Sequence, residues 1–426
     1  MSLESIVNQP LANLLRFEQL QAHAANAQAY VEAFSQQWRD LGRALLEQQL
    51  QQQIEAVEQG HRGARAKRHR HYQTPMGTIA LKRRVYDDAS EAIVADRQLG
   101  LPEDGWFRSV LELSSALGVG SEFANANRLL ERWSGVSVST KTLANHVEAE
   151  GTQLAALEAE APQHSAGPIR SSLSVATRRR PERPVFYIGA DGIHTPMRGG
   201  GTCEAKVGVM FWESDHLRVS PQRAVVKQRE YVATLEPVEG FRAQLNRRYL
   251  ATVEDRPHQV VFLGDGAAWL WGMASMLFPD AIEILDFFHV SEYLWAVARA
   301  AFPAQADEQN AKDWVESQQH ALRHSQWPQV LQAAQRLPPK THELTQAVER
   351  LVSYLSNNQS RLDYQRYLQM GLMIGSGVVE SSNRRIVTLR LKQSGMFWSK
   401  AGAEAVMTLR ACYLSSSQRW HDFWYN

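Results

Sequence analysis

VFYIGADGIH, residues 185–194, decides how the second half of the chain folds. Its leading apolar residues read as a buried strand, and Gly-Ala-Asp-Gly then breaks the run. QVVFLGDGAAWLW, residues 259–271, repeats the plan: an apolar run, Gly-Asp-Gly, then helical residues. Between the two, AKVGVMFW (205–212) and QRAVVKQR (222–229) read as strands and FRAQLNRRYLATV (241–253) as a helix. Beyond them, EILDFFHV (283–290) reads as a fifth strand running into helical residues. Such an order builds a mixed sheet in which neighbouring parallel strands bring Asp191 and Asp265 to one edge, where ligands of such sheets gather. Glycine after each aspartate lets the backbone turn sharply and leaves the carboxylate accessible. Asp-Gly is also an ordinary turn dipeptide, so the recurrence at matching places, not either residue alone, points to a site.

Three strands in series, then helix, strand, helix and strand, is the order of an RNase H-like mixed five-stranded sheet, and the fold class is α/β. A third carboxylate fits the same edge. In GSGVVESSNRRIVTLRLKQSG, residues 375–395, one glutamate stands among basic side chains. With Gly375 to Gly377 opening a helix and Ser376 near its cap, Glu380 falls in the first or second turn, with Arg384 at i+4. Packed on the sheet edge, this helix would complete an all-oxygen set of Asp191, Asp265 and Glu380 suited to Mg²⁺ or Mn²⁺. Two such ions, about 4 Å apart, activate a water or a DNA 3′-hydroxyl and stabilise the leaving oxygen in phosphodiester attack. Arg385 and Lys392 share a face, and Arg384, Arg390 and Lys400 add charge nearby, which would hold phosphates. The other reading is a helix with an exposed basic face and an ordinary Glu380–Arg384 pair.

Upstream, Leu46, Leu50, Ile54 and Val57 recur at helical spacing in a Gln-rich background and read as an amphipathic scaffold or dimerisation helix. HRGARAKRHRHY (61–72) is a basic arm, and Pro75 and Gly77 centre a hairpin turn. From Trp106 to Gly151 three helical segments follow, with Ser121 and Ser139 at cap positions, in the outline of a helix-turn-helix-like unit. Lys141, Thr142, Asn145 and His146 would face base edges, although Glu148 and Glu150 would repel phosphates, and plain helix packing is the alternative. Residues 152–184 lose periodicity and read as a basic linker, with Arg178, Arg179, Arg180 and Arg183.

The chain's 426 residues allow two or three domains: 1–100 with the N-terminal helix, basic arm and hairpin; 101–151 for DNA binding; the linker 152–184; and 185–426 for catalysis, with a helical insertion at about 291–373. Lys and Arg total 46 against 45 Asp and Glu, so a nucleic-acid role must come from local charge. Two cysteines, Cys203 and Cys412, are too few for a disulfide framework or a four-cysteine zinc site. No 18-residue apolar run or basic-then-apolar N-terminal segment occurs, which fits a cytoplasmic protein.

Four stretches, YIGADGIHTPMR, FLGDGAAWLW, ILDFFHVSEYLW and GSGVVESSNRRIVTLRLKQSGMFWSKAGAEAVMTLRA, resemble the DDE transposases of bacterial insertion sequences, specifically the Kra group (ISKra), related to Mutator-like transposases. The likeness runs from about Trp106 onward. It implies that Asp191, Asp265 and Glu380 are the acidic triad binding two Mg²⁺ ions for cleavage and strand transfer. It also implies that Asp286 and His289 form the family's D-x-x-H element, orienting a ligand or phosphate. Expected partners are transposon terminal inverted repeats and target DNA, with at least a homodimer in a nucleoid-associated synaptic complex. Relatives commonly carry a cysteine-rich ribbon near the hairpin, yet KRRVYDDASEA (82–92) has none, which leaves recognition to the basic arm, the hairpin and the three-helix unit. The same triad also suits an RNase H-like metal-dependent nuclease without strand transfer, and the fold alone suits a transposase-derived DNA-binding protein.

Overall fold

A computed structural model describes residues 26–86, 93–160, 182–220, 223–304, 307–338, 341–375 and 377–426. The chain divides into two units, Met1–Glu150 and Gly151–Asn426.

In the first unit, α1 (Ala27–Gln59) begins where the Asn26 side chain accepts the Ala29 N–H at 2.9 Å. A hairpin follows, β1 (Ala64–Thr74) and β2 (Gly77–Tyr86), closed by Pro75 and Met76 with Gly77 at φ +110°. The expected stripe Leu46, Leu50, Ile54 and Val57 packs on the hairpin core of Tyr72, Ile79 and Leu81. The polar residues around the stripe bond to the hairpin backbone. Glu47 accepts the Ala80 N–H, Gln51 exchanges two bonds with the Lys82 backbone, and Glu58 accepts the Arg84 N–H. Helix side chains thus satisfy the open edge of β2 that another strand would otherwise seek. Along β1, Arg65, Lys67 and Arg68 of the basic arm are exposed.

After α2 (Val94–Leu99) come the three expected helices, α3 (Arg108–Gly120), α4 (Phe123–Ser134) and α5 (Thr140–Glu160). Ser139 accepts the Thr142 N–H at 3.0 Å, as a cap should. Ser121 does not cap α4; it ends α3, its N–H and hydroxyl both donating to the Leu117 carbonyl. The linker expected from residue 152 begins later, because α5 continues through Glu160. Leu154 is buried and Gly151 is pressed so closely on Ala405 that a Cβ would fall 2.1 Å from its carbonyl oxygen. Arg178, Arg179, Arg180 and Ser376 lie outside the described residues.

The second unit is built on a mixed five-stranded sheet. Its elements are β3 (Val185–Pro196), β4 (Thr202–Trp212), β5 (His216–Ser220), β6 (Arg223–Val226), β7 (Glu230–Thr234), α6 (Val238–Val253), β8 (Gln259–Gly264), α7 (Ala268–Leu277) and β9 (Ile282–Leu285). The sheet order is β7-β4-β3-β8-β9, antiparallel from β7 to β3 and parallel from β3 to β9. The third strand is therefore not QRAVVKQR, which contributes to the separate β5–β6 hairpin, but EYVAT, every residue of which is buried. A run flanked by charges at both ends suits a hairpin in water better than a strand at a packed layer.

Five helices follow in the expected insertion: α8 (Phe287–Ala301), α9 (Glu308–Arg323), α10 (Trp327–Gln335), α11 (His342–Asn357) and α12 (Tyr364–Gln369). Then come α13 (Gly377–Asn383), α14 (Lys400–Leu414) and α15 (Ser417–Tyr425). Two glycines let helices press on opposite sheet faces. A Cβ at Gly208 would lie 2.8 Å from Leu245 of α6, and one at Gly189 would lie 2.2 Å from Val379 of α13. Past Asn383, α13 widens into a π turn, Arg384–Thr388, before Leu389–Leu391 resume the α-helix. Buried Arg410 donates its Nε–H to the Arg385 carbonyl of that turn at 2.6 Å. No helix among the described residues is long and apolar enough to cross a membrane.

An ionic cluster ties the end of α5 into this unit. Arg419 of α15 donates to Glu158 from Nε at 2.9 Å and Nη2 at 2.7 Å, and to the Tyr231 carbonyl from Nη1 at 2.7 Å. Arg248 reaches Glu158 at 2.6 Å from the other side. Burial pushes the Glu158 carboxyl up, but the two guanidiniums outweigh it and hold it below the usual range.

Candidate metal-dependent active site

The register of the parallel strands sets the site. β3 and β8 pair as far as Gly189 with Leu263, and two residues on in each stand Asp191 and Asp265. Side chains alternate along a strand, so both carboxylates project on the face that Gly189 shares with α13. β8 and β9 pair as far as Gly264 with Leu285, which puts Asp286 next in the row. Asp191 does not end its strand as expected: it is paired with Val207, and β4 carries β3 on to Pro196 after β8 has left.

Each oxygen of Asp191 accepts one hydrogen bond, Oδ1 from the Gly192 N–H at 2.7 Å and Oδ2 from the Asn383 amide of α13. Burial first, and the neighbouring Asp265 charge second, push the Asp191 carboxyl up to about 6. Asp265 Oδ1 accepts the Ala267 N–H at 2.9 Å, and the Tyr354 hydroxyl donates to the Asp265 carbonyl at 2.6 Å. Tyr354 comes from the insertion and stacks on Tyr293 with ring centroids 4.1 Å apart.

Asp286 caps α8, accepting the Phe288 N–H at 2.7 Å and the His289 N–H at 3.4 Å. The His289 imidazole lies near enough to Asp191 to offset part of its upward shift, while Nδ1 is 3.2 Å from Glu292. Its ring meets Tyr293 and Tyr354 edge-on.

Glu380 is exposed on α13, which is docked by Val379 on Gly189 and by Asn383 on Asp191. Three residues along a helix is a rotation of about 60° short of a full turn, so Glu380 lies one turn from Asn383 and about 60° around the helix from it. Among the described residues, no three His, Cys, Asp or Glu side chains converge closely enough to hold a metal ion. The geometry is therefore two converged carboxylates with Glu380 one turn from the amide that orients the first.

Of the expected phosphate contacts, Arg384, Arg385, Lys392 and Lys400 are exposed. Arg390 is not: it is 1% exposed, with its guanidinium 4.8 Å above the Trp398 ring. It packs the core under the helix and offers nothing to a phosphate outside. In the first unit, Lys141 and Asn145 are exposed one turn apart on α5, whereas His146 packs on Trp106 with ring centroids 4.1 Å apart. Sequence reasoning misses Asn383 and Tyr354. Asn383 follows Glu380 at helical spacing, which could have marked it, but nothing local in α11 singles out Tyr354.

The raised Asp191 carboxyl gives a pH test. Its folded value, about 6, exceeds the ordinary 3.8, so the folded protein holds this proton more tightly than the unfolded chain does. Stability from this group is full below about pH 4 and is lost as pH rises through 6. Asp191→Asn removes the loss and is expected to raise metal-free stability at pH 7 by about 2 kcal/mol, discounted for partial exposure, with no gain at pH 4. Denaturant unfolding at the two pH values checks this; an equal change at both would mean that folding does not raise the Asp191 carboxyl.

Comparison with curated proteins finds no match. A family model described as "Uncharacterised protein family (UPF0236)" matches residues 14–425, nearly the whole chain, and the chain belongs to that family.

Proposed function

We propose that this protein is a DNA transposase of the DDE type, with an RNase H-like catalytic unit that cleaves insertion-sequence ends and joins the 3′-hydroxyl to target DNA. The observation that carries the reading is the pair Asp191 and Asp265, brought together by strand register and mutually repelling, with the helix of Glu380 docked on the same face. The strand order third-second-first-fourth-fifth, parallel only after the first, is that of an RNase H-like sheet and supports the same reading.

The donor set fits a divalent cation. Oxygen ligands suit a hard ion, and a carboxyl lifted to about 6 by burial and a like charge is one that positive charge would bring back down. Asp191 and Asp265 would hold Mg²⁺, with Glu380 turned in from α13. When bound, the metal supplies activation of the attacking oxygen and stabilisation of the leaving one. Asn383 and the Gly192 N–H fix the Asp191 oxygens, and Tyr354 fixes the turn that carries Asp265. Exposed Arg384, Arg385, Lys392 and Lys400 hold the phosphates on either side of the scissile bond. Lys141, Asn145 and the basic β1 arm would bind the terminal repeat, with α3 to α5 as a helix-turn-helix-like unit.

The test is an assay of labelled transposon-end DNA with a target plasmid, in Mg²⁺ and in EDTA. Joined products that require Mg²⁺ are expected. Cleavage without joining would instead make the protein a nuclease, and binding without cleavage would make it a DNA-binding derivative of a transposase.

A further inference from the structure

We infer that a cleft beside α13 is a slot for one unpaired nucleotide of a DNA strand; the inference rests on the nucleic-acid function proposed above. The cleft, about 490 Å³, lies between α13, the β5–β6 hairpin and the start of α8. Val225, Met373 and Val378 give it apolar walls. Phe288 stands at it with 57% of its surface exposed, a large ring left in water by the fold of this unit. The ring lies against Gly375, where a Cβ would come within 2.4 Å of a ring carbon, and the Phe288 backbone N–H is bonded to the Asp286 carboxylate. An aromatic face beside an apolar cavity is what a base needs for stacking.

Charge then selects the occupant. Arg229 and Arg385 both line the cleft, so a flat apolar group with anionic linkages fits where a purely apolar one would bring no countercharge. The same helix that lines the cleft with Val378, Ser381 and Arg385 presents Asn383 to Asp191 from another of its faces. A nucleotide in the slot is thus about one helix width, roughly 10 Å, from the paired carboxylates. Unpairing a base there would hold the strand open beside the edge where its phosphate is cut.

The test uses the full chain and fluorescence anisotropy with labelled oligothymidine and with a blunt duplex. Phe288→Ala and Gly375→Val, which displaces the ring, are each expected to weaken oligothymidine binding about 10-fold, the loss of one stacked base, while duplex affinity is kept. Phe288→Tyr is expected to bind oligothymidine like the wild type. Unchanged oligothymidine binding in Phe288→Ala, with an unchanged melting temperature, would overturn the slot, as would failure of Phe288→Tyr to restore it. The two readings fail separately. Metal-dependent end cleavage with Phe288-independent binding sinks only the slot, whereas Phe288-dependent binding without any cleavage upholds the slot and sinks the transposase.

Discussion

Asp265→Asn is expected to reduce Mg²⁺-dependent end cleavage by at least about 10³-fold, with binding of the same DNA retained. The amide keeps the size of the carboxylate and can still accept the Ala267 N–H that shapes the turn, so the fold has no reason to change. What it removes is one of two negative charges that strand register has brought together. Asp191→Asn should match it. Glu380→Gln is the sharper case, because Glu380 is exposed and its loss costs the folded protein nothing evident. If it acts as the third ligand, its loss should be as deep as that of either aspartate. Asn383→Ala should be milder, about 10- to 100-fold, since it orients a ligand and is not one. Gel assays of cleaved and joined DNA read all four. Full cleavage in Glu380→Gln would remove that residue from the site while leaving the aspartates in it.

Arg419→Met is expected to destabilise the protein by about 3 kcal/mol, at the lower end of the cost of breaking a buried ion pair. Arg419 is 8% exposed and has four directional bonds, two to Glu158, one to the Tyr231 carbonyl and one to the Ser415 hydroxyl. Methionine fills the space of the stem but leaves that carbonyl and much of Glu158 without a donor. The cost is not at the upper end because Glu158 keeps 30% of its side-chain surface in water and retains Arg248. Urea unfolding measures it. A loss below about 1 kcal/mol would mean the cluster behaves as a solvated surface pair.

The carboxylates of the sheet were legible because their signal is local: an apolar run followed by Asp-Gly needs only ten residues to be read. The α1 stripe was legible for the same reason, a period carried in consecutive turns. QRAVVKQR misled because alternation alone does not say which layer a strand joins, and the short EYVAT has buried ends that look polar. Arg390 misled because charge reads as exposure, whereas here a tryptophan eight residues on covers the guanidinium. The end of α5 depends on Arg419 and Arg248, both far away in sequence. Tyr354 reaches Asp265 from the insertion, across 89 residues, and no local pattern carries such a contact.

The π turn at Arg384–Thr388 has a consequence for phase. It holds one residue more than an α-turn, which rotates everything after it by about 100° relative to what precedes it. Glu380 and Asn383 are clocked by the sheet before the turn, and Lys392 is clocked by the segment after it. One helix therefore aims its acid and its base independently. Removing a single residue from the turn would restore an ordinary α-turn and leave cation and carboxylate on their present bearings, whereas the same deletion in a regular helical turn would swing the cation by about 100°, a change in bearing that no side-chain substitution can make.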